Sequence, residues 1–185
     1  KDYIRVVLEL KPRYFLMENV AGLMVGDHRQ LVDEIVEIVE ATGDYRVTTP
    51  IKVLQAAELG VPQSRRRVFL LGARRDVAQP SYPQASHLPR TIKGLEPQQS
   101  FLPLGPSVSD AIGDLPNADD YEGLLHGDTV SGVAFGTPSF YASLLSGSSK
   151  DESNYAHPRP RVADELTSSA RTVHTQKSIE RFRDV

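Results

Sequence analysis

Apolar positions recur at helical spacing in the first ten residues, where Ile4, Val7 and Leu8 share one face. Residues 1–10 therefore read as a helix, and Pro12 stops it. Residues 13–17, Arg-Tyr-Phe-Leu-Met, make a short apolar run between that proline and polar Glu18-Asn19, the pattern of a strand buried on both faces. Asp27 with Gln30 three residues on has the form of a capping box. It opens a second helix with Leu31, Ile35, Ile38 and Val39 on its apolar face and Asp33, Glu34, Glu37 and Glu40 largely on the other. Gly43 ends that helix. Residues 45–53 read as extended, with Val47, Ile51 and Val53 apolar, and residues 55–59 as a helical turn ended by Gly60 and Pro62. Residues 68–71, Val-Phe-Leu-Leu, are a further buried strand. Helix, strand, helix, strand, strand is an α/β order.

The texture changes near residue 80, after which Pro, Gly, Ser and Asp dominate. Within this half, residues 108–116 hold one helical turn, residues 127–154 a flexible Gly- and Ser-rich loop, and residues 178–183 the start of a helix. The predicted organisation is an α/β unit over residues 1–80 and an irregular α+β segment over residues 81–185. The chain opens on Lys1 inside a helical pattern and stops at Val185 with no closing element, so both ends are expected to be cuts in a longer sequence.

Composition narrows the chemistry. No run of eighteen apolar residues occurs, and no secretory signal, so no membrane partner is expected; the expected location is cytoplasmic, in a bacterium, or otherwise intracellular. The absence of cysteine excludes disulfides, cysteine-bound zinc and a cysteine nucleophile within these residues. A net charge of -3 carries no bulk signature of a nucleic-acid partner. The tail is locally basic, with His157, Arg159, Arg161, Arg171, His174, Lys177, Arg181 and Arg183, which suits a solvated surface or phosphate contacts.

Two short stretches carry candidate chemistry. Glu18-Asn19-Val20 follows the first strand directly, and ligands of open α/β sheets bind at the carboxyl ends of strands. A glutamate there serves a ligand, caps the next helix or pairs with an arginine. Gln63, Arg65 and Arg67 alternate, so in extended backbone they share one side while Ser64 and Arg66 take the other. Arginine forks hold phosphate or carbonyl oxygens in fixed geometry, although a charged edge strand also deters aggregation. An arginine beside Glu18 would fix the carboxylate's orientation.

Residues 15–23, Phe-Leu-Met-Glu-Asn-Val-Ala-Gly-Leu, resemble the Glu-Asn-Val motif of DNA cytosine-5 methyltransferases. Residues 60–72 resemble that family's Gln-x-Arg-x-Arg motif with its following strand, and residues 108–116 are similar to its Val-x-x-Ala-Ile-x-Asp-Leu-Pro segment. The resemblance covers residues 1–116 well and the remainder loosely. It implies the second half of a Rossmann-like, S-adenosylmethionine-dependent methyltransferase sheet, followed by a segment leading into a target-recognition domain. It also implies methyl transfer to C5 of a cytosine flipped out of double-stranded DNA. Glu18, Arg65 and Arg67 then match the catalytic positions: Glu18 contacts N3 and the exocyclic amine, and the arginines orient the base and nearby phosphates. Asn19 and Gln63 match substrate-side positions, Asn19 shaping the loop and Gln63 supporting the arginine segment. Two family elements are missing: no Phe-x-Gly-x-Gly loop for S-adenosylmethionine and no Pro-Cys nucleophile occur. The chain alone is therefore expected to be inactive. Three alternatives remain: a split enzyme whose second chain carries the cofactor loop and nucleophile, a non-catalytic DNA-binding relative, and an RNA cytosine-5 methyltransferase of the same family.

Overall fold

The helical spacing at the start of the chain forms α1 (Asp2–Leu10), with Ile4 and Val7 buried. Past Pro12 the chain enters β1 (Tyr14–Val20), turns through a 3-10 helix at Ala21–Met24 and returns along α2 (His28–Ala41). β2 (Tyr45–Val47) and β3 (Lys52–Gln55) follow, then a 3-10 turn at Ala56–Leu59 and β4 (Arg66–Arg74). The structure, a computed structural model, describes residues 2–90, 101–150, 158–176 and 180. The chain divides into two compact units, Lys1–Pro106 and Ser107–Val185, so the change of texture near residue 80 falls inside the first.

β4 is the centre of a four-stranded sheet: β1 pairs along one edge and β2 and β3 along the other, all antiparallel to it. β1 and β2 therefore run the same way on either side of β4, with α2 as the crossover between them. Alternation puts Phe15, Met17, Leu70, Gly72, Tyr45 and Val47 on one face, and Ile4, Val7, Val32 and Val39 from the two helices pack with that face as one core.

The second face is different, and it corrects the expectation that β1 is buried on both sides. Leu16 and Val20 are each 54% exposed and Tyr14 is 48% exposed. Both helices cover the same side, so β1 is apolar on both faces and buried on one.

α2 is also turned relative to its prediction. Val32, Ile35, Val36 and Val39 face the core, whereas Leu31 and Ile38 are half exposed. Valines at 32, 36 and 39 make a competing stripe at helical spacing with Ile35 at its centre, which leaves Leu31 and Ile38 on the flank. The capping box does not form. Asp27 sits at the N-cap with helical backbone, φ -64 and ψ -22, and its carboxylate caps nothing, because a side-chain cap requires extended backbone. Gly43, at φ +74, does supply the stop, in a conformation that glycine adopts without strain.

The extended stretch at 45–53 forms as two strands, interrupted where Pro50 has no N–H to donate to a ladder. Tyr45, not counted among its apolar members, is 1% exposed. Its ring meets Phe15 edge-on at 5.7 Å and its hydroxyl donates to the Pro12 carbonyl at 2.7 Å.

In the second unit, α3 (Val108–Ile112) is opened by a capping box that the sequence reading passed over: Asp110 N–H donates to the Ser107 hydroxyl, and Ser107 N–H to the Asp110 carboxylate. β5 (Val130–Ser131) and β6 (Glu165–Leu166) form a short antiparallel ribbon beside a small core of Leu124, Val133 and Leu166. Between them, α4 (Phe140–Ser146) occupies part of the stretch read as a flexible loop, capped by the Ser139 hydroxyl on Ala142 N–H. Serine density concealed it, since one of those serines is the cap itself. Most of the helix expected at 178–183 lies outside the described residues.

Candidate functional site

Antiparallel pairing sets the site. Glu18 lies opposite Phe69 and Val20 opposite Arg67, so Glu18 and Arg67 are diagonal neighbours on the open face of the sheet. Arg67 Nε stands 2.9 Å from Glu18 Oε1, and Arg65 Nη2 stands 3.9 Å from the same oxygen. The Arg67 guanidinium is held from behind by an Nη1–H donated to the Arg66 carbonyl at 2.8 Å. The Glu18 side chain is 40% exposed and accepts no hydrogen bond among the described residues. It is thus an oriented, charge-compensated carboxylate with lone pairs left for a donor.

The arginine segment owes its shape to a glycine. Gly60 ends the 3-10 turn at φ +80, and a Cβ there would come 2.8 Å from the His87 ring. Beyond it, Gln63 N–H donates to the Val61 carbonyl at 2.7 Å, Arg65 N–H to the Gln63 carbonyl at 3.0 Å, and Ala56 N–H to the Arg65 carbonyl at 2.9 Å. The segment is pinned against the turn, and Arg65 and Arg67 emerge on the side of Glu18. Ser64 goes the other way, accepting from Gln55 Nε2 at 3.3 Å.

The structure therefore brings together three of the five residues named from sequence: Glu18, Arg65 and Arg67. Asn19 lies on the opposite sheet face, paired with Val68, and its Oδ1 accepts Val20 N–H at 2.8 Å, which shapes the strand end. Gln63 is placed by its backbone, and its side chain does not meet Glu18 among the described residues. His87 was missed. It packs on Gly60, and its N–H and that of Ser86 both donate to the Glu58 carbonyl, at 3.1 and 2.9 Å. The sequence offers no sign of this contact, which joins residues far apart in the chain.

The basic tail divides in two. His157, Lys177, Arg181 and Arg183 lie outside the described residues. Arg161 pairs with buried Asp114 at 2.6 Å and stacks 4.9 Å over Phe135, and Arg171 pairs with Asp119 at 2.8 Å. These two arginines are thus committed to ion pairs within the second unit. Among the described residues no group of three or more His, Cys, Asp or Glu side chains is placed to hold a metal, and no helix is long and apolar enough to cross a membrane.

Comparison with known proteins finds relatives over most of the chain. Type II methyltransferase M.XorII of Xanthomonas oryzae pv. oryzae is 42% identical over 180 residues, covering 97% of this chain and 38% of that protein. M.SacI of Streptomyces achromogenes is 35% identical over 68% of this chain and 31% of its own length, and M.AgeI of Thalassovita gelatinovora is 34% identical over 85% and 37%. The chain thus spans less than two fifths of the length of these relatives. A family model described as C-5 cytosine-specific DNA methylase matches residues 1–180, a span that takes in the glutamate, the arginine segment and most of the second unit, and the chain belongs to that family.

Proposed function

We propose that the full-length protein transfers a methyl group from S-adenosylmethionine to C5 of a cytosine in double-stranded DNA, and that this chain supplies the part of the site that grips the base. The observation that supports this most is the half-exposed Glu18 carboxylate, fixed by Arg67 at 2.9 Å at the end of β1 and accepting no hydrogen bond among the described residues. With the cytosine swung out of the duplex, Glu18 meets N3 and the exocyclic amine. Holding a proton at N3 draws electron density from C6 and opens that carbon to attack by a thiolate. Arg67 and Arg65 keep the carboxylate aimed and take up the base carbonyl and adjoining phosphate. Asn19 and Gln63 act on the substrate through the backbone they shape. β1, β4, β2 and β3 fit the second half of a Rossmann-like sheet, and the second unit the approach to a target-recognition domain.

The residues present do not fit S-adenosylmethionine by themselves. The turn after β1 is a 3-10 helix, Ala21–Met24, with the single glycine Gly22 and no Gly-x-Gly cradle. In this reading the cofactor loop and the thiolate come from elsewhere in the full-length protein or, in a split enzyme, from a second chain.

Labelled methyl transfer by the full-length protein tests this. Glu18→Ala and Arg65→Ala are each expected to slow transfer to duplex DNA at least about a hundredfold. Near-normal rates in both would defeat the site assignment. Transfer confined to tRNA would move the substrate to RNA. Labelled DNA produced by these residues alone would overturn the division of the site.

A further inference from the structure

The sheet face that carries Glu18 continues beyond its ion pairs. Phe69 pairs with Glu18 on one side and with Lys52 on the other, so Glu18, Phe69 and Lys52 form one cross-strand row on one face. Two strand spacings, about 10 Å, separate the ends of that row. Lys52 Nζ lies 5.9 Å over the ring of Tyr82, which is itself buried and donates its hydroxyl to the Phe69 carbonyl at 2.7 Å. The ammonium is thereby held at the margin of a groove of about 470 Å³ whose lining includes Thr48, Thr49, Gln79, Ser81 and Gln84.

Thr48 and Gln79 spend their donors within the protein, Thr48 Oγ1 on the Pro80 carbonyl at 2.8 Å and Gln79 Nε2 on the Val47 carbonyl at 3.0 Å and the Thr48 hydroxyl at 3.4 Å. Among the described residues Lys52 forms no ion pair, and the side chains of Thr49, Ser81 and Gln84 make no hydrogen bond. Among the described residues no acidic side chain lines the groove. One uncommitted cation among neutral donors, with no competing carboxylate, suits an oxyanion of single charge. Resting the Lys52 chain on an aromatic ring also reduces the freedom it would lose on binding.

We propose that Lys52 and the groove beside it hold a backbone phosphate diester of the DNA strand whose base is taken by Glu18. The proposal rests on the base-binding reading of Glu18 for the identity of the ligand. It assigns Lys52 a positioning contact, which fixes the strand's register without reading its sequence.

The test is binding of a fluorescein-labelled duplex oligonucleotide to the full-length protein across a range of salt. Removing one phosphate contact lowers the slope of log affinity against log salt by about one. Lys52→Gln is therefore expected to bind more weakly at low salt, with its deficit shrinking roughly threefold between about 50 and 200 mM. Lys52→Arg should keep the slope, which separates loss of charge from loss of fold. Arg5→Gln removes a charge that already pairs with Glu9 at 3.0 Å on α1, and should also keep it. A wild-type slope in Lys52→Gln overturns the proposal, as does an equal loss in Arg5→Gln. Methyl transfer is not read in this experiment. An active Glu18→Ala enzyme would defeat the base-site reading while the Lys52 slopes remained interpretable, and unchanged Lys52 slopes beside an inactive Glu18→Ala would defeat only the phosphate contact.

Discussion

Asp114 and Glu18 are both carboxylates paired with arginine, and burial gives the two pairs opposite roles. The Asp114 side chain is 1% exposed, its Oδ1 has no partner among the described residues, and Arg161 at 2.6 Å is its compensating charge. Removing Arg161 would strand a buried anion, for which the typical cost is about 3 kcal/mol or more. Arg161→Ala should therefore lower the urea midpoint of the protein by an amount equivalent to about 3 kcal/mol; a change below about 1 kcal/mol would show that water already satisfies Asp114. The Glu18 pair is exposed enough that solvent screens it, and the same measurement on Glu18→Ala should show less than about 1 kcal/mol. Arg65 and Arg67 were legible in the sequence because alternation in extended backbone puts them on one side, and Glu18 because it follows an apolar strand directly. Asp114 stood in a recognisable segment, but its partner lies 47 residues away, and no periodicity reaches that far.

Strand pairing places Phe15 directly across from Gly72, and the ring lies over the glycine where a side chain would be. A Cβ built at 72 would fall 2.0 Å from two ring atoms of Phe15. Phe15 is in turn fixed by its edge contact with buried Tyr45, so it has little room to withdraw. Gly72→Ala should cost about 3 kcal/mol, at the upper end for overpacking, and adding Phe15→Leu should recover part of that loss. Denaturant unfolding of the single and double variants checks this, and purely additive losses would mean that the two positions do not compete for the same space. Which elements exist was largely readable here, because helix and strand periods differ. Which side of an element is buried was not. β1 is apolar on both faces and α2 carries two overlapping apolar stripes, so only the position of the neighbouring layer decides that Leu16, Leu31 and Ile38 stay exposed. α4 escaped notice for the complementary reason, since its serine cap looked like loop.

Tyr45 and Tyr82 are buried in the first unit and Tyr141 is partly buried in the second, and these phenols contribute to how the chain responds to alkali. Burial raises the phenols of Tyr3, Tyr45 and Tyr82 in the first unit and of Tyr141 in the second above the ordinary value of 10.0, with Arg74 partly opposing the shift at Tyr45. The unfolded chain then loses these protons first, so above about pH 10 it binds fewer protons than the folded chain and stability falls as pH rises. The contribution is fully present below that range. At the acid end Asp76 acts in the opposite sense: its hydrogen bond from Arg74 holds the carboxyl below the ordinary 3.8, and its contribution is lost as pH falls through that lowered value. Urea midpoints measured between roughly pH 8 and 11 should be flat at first and then decline. Tyr45→Phe should lower the plateau by about 1 kcal/mol, through loss of the hydrogen bond to Pro12, and make the decline shallower. If the alkaline decline is as steep in Tyr45→Phe as in the wild type, Tyr45 keeps no raised phenol and the limb belongs to other groups.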